Sequence, residues 1–252
     1  MTAVEVAHLV KRYRGADRNA VDDISLDVPE GQLFCLLGPN GAGKTTTLSI
    51  LTTTLAPTSG RVAIAGRDLA TEQAAVRRAV GIVFQQPSLD LNLTAEENIR
   101  LHAVLYGLYP WRPCFRLMPP GYRRLVQDLA GVLDISGILG QRARVLSGGL
   151  RRRLEIVRAL THRPAVLFLD EPTAGLDPES RRSLWAYLRQ ARASLGTTVF
   201  LTTHYLEEAE AADAVCVLAR GTIIERGSPA QVKARQRSAT LEDAYLALVD
   251  RS

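Results

Sequence analysis

The stretch Gly38-Pro39-Asn40-Gly41-Ala42-Gly43-Lys44-Thr45 constrains this chain more than any other part of it. It fits the pattern G-x-x-x-x-G-K-[ST], preceded by the apolar run Leu33 to Leu37 and followed by a helix-like run from Thr46 to Leu51. A buried strand, a glycine-rich turn and a helix, in that order, is the setting in which this pattern binds phosphate. The glycines let successive backbone NH groups turn inward, and with the helix N-terminus these form a concavity for anions. A triphosphate fits such a cradle. Lys44 is expected to reach its β and γ phosphates, and the Thr45 hydroxyl to ligate Mg2+.

The bulk properties are compatible with that. A chain of 252 residues, 46% hydrophobic and 23% charged, reads as globular and long enough for one large α/β domain or two small ones. The net charge of +5 is almost all arginine, since Lys11, Lys44 and Lys233 are the only lysines. Such a balance suits nucleic acid, and equally a nucleotide-binding protein beside an anionic membrane leaflet, so charge alone does not choose. Cys35, Cys114 and Cys216 form no C-x-x-C pair and no metal-ligand pattern; Cys35 and Cys216 lie in apolar runs and read as small core residues. The first five residues lack the basic-then-apolar pattern of a signal peptide, and no run of about 18 apolar residues occurs. The expectation is a cytosolic protein or one peripheral to a membrane.

In chain order, Val4 to Leu9 and Ile24 to Val28 alternate apolar and polar residues, as half-buried antiparallel strands do. Tyr13 lies between them, upstream of the cradle, where an aromatic ring can stack on an adenine. Arg61 to Ala65 and Val80 to Phe84 read as strands, with a short helix over Thr71 to Ala79. The second of these strands ends in Gln85-Gln86-Pro87, at the end where such folds bind ligands, so Gln85 can contact Mg2+ or the attacking water. Thr94-Ala95-Glu96-Glu97 starts a helix with a capping box. Leu108 to Gly121 breaks the pattern: Pro110, Pro113, Pro119 and Pro120 interleave with Trp111, Cys114, Phe115 and Met118, which rules out a regular helix. Tyr122 to Leu133 resumes as an amphipathic helix.

Ser147-Gly148-Gly149 opens the next helix, expected to run to about Leu160. Ser147 is a good N-cap and the glycines bare the helix amides, so this is a second phosphate-shaped site far along the chain from the first. The triplet Arg151-Arg152-Arg153 reads as a solvated helix face. An apolar strand from Ala165 ends in Asp170 and Glu171. Asp170 can hold the water shell of Mg2+, and Glu171 can polarise a water for in-line attack on the γ phosphate. Pro178 suits the first turn of a helix over Glu179 to Leu195. Thr197 to Thr202 is a further buried strand, closing on Thr203-His204, which makes His204 a candidate for the γ phosphate. A helix over Tyr205 to Ala212, strands over Ala214 to Leu218 and Thr222 to Arg226, a short helix from Ser228 and an amphipathic one over Leu241 to Val249 complete the chain.

From Val4 to Arg226 these residues resemble the nucleotide-binding subunit of an ATP-binding-cassette (ABC) transporter. GPNGAGKTT, from Gly38 to Thr46, resembles the Walker A sequence, Gln85 the Q-loop and LSGGL the family signature. LFLDEP resembles the Walker B strand with its glutamate, AGLDP the D-loop, and His204 the switch histidine. The resemblance implies an α/β P-loop NTPase core with a mostly parallel sheet, an N-terminal antiparallel β subdomain and an inserted helical subdomain at about 86–160. The ATPase domain would cover 1–227, with a short helical extension over 228–252. It implies ATP and Mg2+ as ligands: Lys44, Gln85, Glu171 and His204 for catalysis, and Thr45, Gln85 and Asp170 for the metal. Nucleotide contacts would come from Tyr13, residues 38–46, Ser147, Gly148, Gly149 and Asp177. It further implies that two subunits, expected to be identical, pair head to tail, each ATP lying between the Walker A turn of one and the signature of the other. They would work at the cytoplasmic face of the cell membrane on a separate polytopic permease subunit, without nucleic acid.

Within the family, TTHYLEEAEAAD and the tail SPAQVKARQRSATLEDAYLALVDR are most similar to the drug-resistance and antibiotic-export branch, which implies export of a small molecule. The alternative is a soluble ABC ATPase acting in protein or cofactor assembly. A regulator that only binds nucleotide would not need Lys44, Asp170, Glu171 and His204 together. Two features depart from the family pattern. Leu150 replaces a glutamine that often ends the signature, and Leu108 to Gly121 replaces a polar, helical segment. The latter either contacts the membrane subunit or packs on its own domain.

Overall fold

Strands without a polar face, LFCLL and VLFLD, need cover on both sides, and this requirement sets the architecture. The computed structural model describes residues 1–250; the last two residues of the extension expected over 228–252 lie outside the described residues. Among the described residues there are ten strands and nine α-helices. β1 (Thr2–Lys11), β2 (Val21–Pro29), β4 (Ser59–Ile64) and β5 (Arg67–Asp68) form an antiparallel sheet in the order β2-β1-β4-β5. β3 (Leu33–Leu37), β6 (Val80–Val83), β7 (Val166–Asp170), β8 (Thr198–Thr203), β9 (Ala214–Ala219) and β10 (Thr222–Gly227) form a second sheet, ordered β10-β9-β3-β8-β7-β6. It is parallel except for the β10 edge.

The helices are α1 (Lys44–Leu51), α2 (Gln73–Ala79), α3 (Ala95–Leu105), α4 (Pro120–Val132), α5 (Gly148–Leu160), α6 (Pro178–Leu195), α7 (Leu206–Glu210), α8 (Pro229–Gln236) and α9 (Leu241–Val249). Leu33, Cys35, Leu37, Leu167, Leu169, Val199 and Leu201 point into a core shared with α3 to α6. The alternate residues Phe34, Leu36, Phe168 and Phe200 point the other way, into a core shared with α1 and the antiparallel sheet. Register places Phe34, Phe200 and Phe168 side by side, with ring centroids 5.0 and 5.4 Å apart. Cys35 and Cys216 are buried small residues, as expected, and burial pushes the Cys216 thiol up to about 12.

Several boundaries differ from the periodicity in the sequence by a few residues, and two of them have a clear physical cause. α4 starts at Pro120, because proline's fixed φ suits a first helical turn, so the irregular segment ends earlier than Gly121. α7 is confined to Leu206–Glu210, shorter than Tyr205 to Ala212, because Asp213 turns back to exchange hydrogen bonds of 2.8 and 2.9 Å with the Leu33 backbone. The irregular segment divides by side. Met118 is buried, and Tyr109 and Phe115 stand edge-on against buried Tyr122 at 5.3 and 6.0 Å. Trp111 is 62% exposed, as are Leu101, Leu105 and Leu117 to comparable degrees.

Where α3 meets the end of α5, His102, Tyr106 and His162 stack, with 4.3 Å between successive ring centroids. Burial, helped by Arg158 and His162 nearby, lowers the His102 pKa to about 3 from 6.5. Between those values the unfolded chain binds a proton that the native state refuses, so stability is expected to fall as pH drops through this window. His102→Phe should make melting temperature less sensitive to pH between about 6.5 and 4.5, read from thermal melts across that range.

Candidate active site

The carboxyl ends of β3, β8, β7 and β6 lie side by side on one edge of the parallel sheet, and each runs into a residue singled out above. β3 leads into the glycine-rich turn. Gly43 has φ 106°, and a Cβ there would stand 2.4 Å from the Ala20 carbonyl oxygen; a Cβ on Gly38 would stand 2.3 Å from that of Leu218. At Gly43 both the conformation and the closeness require glycine, and at Gly38 the closeness does. The turn is tied down further by Ala42, whose N–H donates to Pro39 O and whose carbonyl accepts from Gly221 N–H. Lys44 follows at the start of α1 and folds back, its ammonium donating to the carbonyls of Gly38 at 2.8 Å and Pro39 at 3.1 Å. Burial lowers its pKa, and the nearby carboxylates of Glu171 and Asp170 oppose that shift.

Glu171, just past β7, is the centre of the site. Its Oε1 lies 3.1 Å from Nδ1 of His204, at the end of β8, and 3.8 Å from the Lys44 ammonium. Its Oε2 accepts from the side-chain amide of Gln85, beyond β6, at 3.3 Å. The Glu171 backbone has φ 43°, in the left-handed region where a residue with a Cβ is strained, as happens where function over-determines geometry. Its N–H donates to the Thr202 carbonyl at 3.1 Å. Asp170 beside it is 3% exposed; burial pushes its carboxyl above the usual range, and the Thr202 hydroxyl, donating at 2.5 Å, pulls it back.

Lys44, Gln85, Glu171 and His204 border one cavity of about 530 Å³, whose walls also include Asn40, Gly41, Gly43, Thr45 and Thr46; buried Asp170 lies behind it and does not line it. Tyr13 stands nearby, 46% exposed, with its hydroxyl 3.2 Å from that of Thr46. Gly38, Pro39 and Ala42 form the floor of the turn behind it. Ser147, Gly148, Gly149 and Asp177 do not border this cavity. Ser147 caps α5 by accepting from Leu150 N–H, and a Cβ on Gly149 would approach Ser180 Oγ to 3.0 Å. Asp177 caps α6 by accepting from the N–H groups of Glu179 and Ser180. In one chain, therefore, the two phosphate-shaped turns stay apart.

The solvated face expected for Arg151-Arg152-Arg153 is corrected: Arg151 and Arg153 are half-buried and Arg152 is buried. Arg152 is 7% exposed, and its guanidinium donates to the carbonyls of Phe84 at 2.5 Å, Asp170 at 2.8 Å and Pro172 at 2.9 Å. Glu155, also buried, pairs with it at 3.2 Å. A signal for this was present. Arg152 shares the 3-4-7 stripe with Glu155, Ile156 and Ala159, and the apolar members of that stripe face the core.

Residues 21–174 match the family profile described as ABC transporter. The chain belongs to that family. It is 41% identical over 235 residues to the daunorubicin/doxorubicin resistance ATP-binding protein DrrA of Streptomyces peucetius, covering 92% of this chain and 67% of that protein. It is 38% identical to the Nod factor export ATP-binding protein I of Ralstonia nicotianae, over 96% of this chain and 72% of the relative. A dimeric post-hydrolysis ATP-binding cassette bound to ADP and Pi superposes with a TM-score of 0.77 at 26% identity, covering 89% of this chain and 98% of the other.

As an ABC ATPase, the chain binds nucleotide and hydrolyses ATP. The donors available for a metal are the Thr45 hydroxyl, the Asp170 carboxylate and the amide oxygen of Gln85, left over when its NH2 turns to Glu171. All are hard oxygens, a set that fits Mg2+. For this ABC ATPase, the contact between Gln85 and His204 through the two Glu171 oxygens is what spacing in the sequence could not supply: the residues are 86 and 33 positions away from Glu171.

Proposed function

We propose that this ABC ATPase powers export of a small, drug- or antibiotic-like molecule through a separate polytopic membrane subunit, working as a head-to-tail pair of identical chains at the cytoplasmic face of the membrane. The observation that carries the reading is the convergence of Lys44, Gln85 and His204 on Glu171 at the mouth of the glycine-rich turn. The Ser147 to Gly149 turn, exposed at Ser147 and Gly148 and outside that cavity, is available to a second copy's nucleotide. Among the described residues no helix is long and apolar enough to cross a membrane.

In this reading Lys44 leaves the Gly38 and Pro39 carbonyls to balance charge on the β and γ phosphates, while the turn amides hold them. Glu171 orients the attacking water and takes up its proton, and His204 faces the γ phosphate from the other side of that carboxylate. Tyr13 stacks on the base and Asp177 faces the partner's nucleotide. Mg2+, held by Thr45, Gln85 and Asp170, supplies neutralising charge when bound. The helical part, about 86–160, meets the membrane subunit.

The test is purification of tagged Glu171→Gln protein with ATP from gently solubilised native cells. A polytopic membrane protein at stoichiometric yield supports the reading, and a soluble partner alone refutes it. Exposed Trp111 is the anchor we assign to that contact, because buried aromatic anchors carry most of an interface's energy. Trp111→Ala should weaken recovery of the membrane subunit about tenfold or more, a loss of over ~1.4 kcal/mol, with ATPase activity of the isolated chain unchanged. Phe115→Ala should act on stability instead, since its ring packs inward on Tyr122.

A further inference from the structure

The Ser147 turn is the first turn of α5, and Arg152 leaves that helix only five residues later, about 7.5 Å along its axis. Its guanidinium donates to four carbonyl oxygens: Phe84, just before Gln85, and the consecutive Asp170, Glu171 and Pro172. A planar fork with five N–H groups can serve that many acceptors at once; an ammonium cannot. Glu155, one turn on, grips Nη1 of Arg152 and accepts from Ser88 N–H at 2.7 Å, so the loop carrying Gln85 is held at both ends by one helix. On the Glu171 side, the strained φ of 43° is bracketed by Thr202, which takes its N–H, and by Arg152, which takes its C=O. Such strain persists only where the surroundings enforce it.

We propose that Arg152 is a positioning residue: it sets the Glu171 carboxylate and Gln85 for hydrolysis and transmits displacement of the Ser147 turn to both. In the head-to-tail pair proposed above, on which this rests, the Ser147 turn meets the nucleotide of one site while Glu171 and Gln85 serve the other. A phosphate that shifts α5 at its N-terminus therefore moves the hydrolytic groups of the opposite site through a single guanidinium. The two sites are coupled inside each chain, as well as across the interface.

The test compares wild type, Arg152→Gln, and the pair Arg152→Gln/Glu155→Gln, which leaves no lone buried carboxylate and so protects the fold. Expected are a fall in kcat on the order of 10²-fold, an unchanged Kd for ATP in the isolated chain, and a Hill coefficient for hydrolysis falling from above 1 to about 1. ATP-dependent dimers should persist on size exclusion. A kcat within about threefold of wild type overturns the proposal, and so does a Kd or a melting temperature that moves in step with kcat, which marks a scaffold role. A wild-type Hill coefficient of 1 overturns the transmission. If Glu171→Gln turns over like wild type, the assignment of Glu171 fails and with it the positioning of that carboxylate by Arg152, whereas a fall in kcat confined to Glu171→Gln overturns the positioning by Arg152 alone.

Discussion

Glu171→Gln is expected to lower ATP turnover by on the order of 10²-fold or more while leaving ATP binding intact. The amide keeps the size of the carboxylate, so the cavity and the bond to Gln85 can survive, but it cannot take a proton from water. It also removes the negative charge facing the Lys44 ammonium at 3.8 Å and His204 at 3.1 Å. A bound triphosphate supplies that charge instead, so nucleotide should be held at least as well. In the proposed pair, an ATP that is not hydrolysed cannot release the sandwich, and the variant should elute as a dimer with ATP and as a monomer without it. Steady-state phosphate release and size-exclusion chromatography check the two halves. Wild-type turnover in this variant would refute the assignment of Glu171.

Lys44→Ala should fail at the earlier step. The Lys44 side chain is 5% exposed and, among the described residues, is the one lysine or arginine side chain bordering that cavity. Its removal leaves the Gly38 and Pro39 carbonyls without their donor and the developing phosphate charge without its closest balance. Loss of one such preorganised donor costs about 10²- to 10³-fold in turnover, roughly 2.7–4 kcal/mol, and here ground-state affinity should fall as well. Binding of a fluorescent ATP analogue separates the variants: Glu171→Gln retains it and Lys44→Ala weakens it about tenfold or more. Equal affinities in the two variants would show that Lys44 does not touch the phosphates. The proton count matters at the alkaline end. Burial lowers the Lys44 pKa, so nucleotide binding should decline at a lower pH than an ordinary lysine would set.

Lys44 and Glu171 also differ in how far each depends on distant parts of the chain, and the same difference separates what is legible in the sequence from what is not. The glycine-rich turn is legible because its requirements are local: Gly43 needs φ 106°, and Lys44 and Thr45 follow within two residues. Ser147 declares itself as a cap by its type and by the two glycines after it. The strands around β3 are legible because continuous apolar runs survive only when covered on both faces. Trp111 and Phe115 are not separable by pattern, since both are aromatic residues in one proline-rich segment. Only the position of Tyr122 on α4 decides that Phe115 turns in and Trp111 stays out.

By itself, then, the amino-acid order determined the P-loop chemistry, the order of the elements and the family, because backbone conformation and side-chain type act over a few residues. Tertiary structure alone decided that Gln85, Glu171 and His204 meet, because their strands become neighbours only through the order β8-β7-β6. It also decided that Arg152 lies inside. Charge in a sequence argues for water, and the opposing fact, four carbonyl oxygens left at the ends of two strands and arranged to accept one guanidinium, exists only once those strands are side by side.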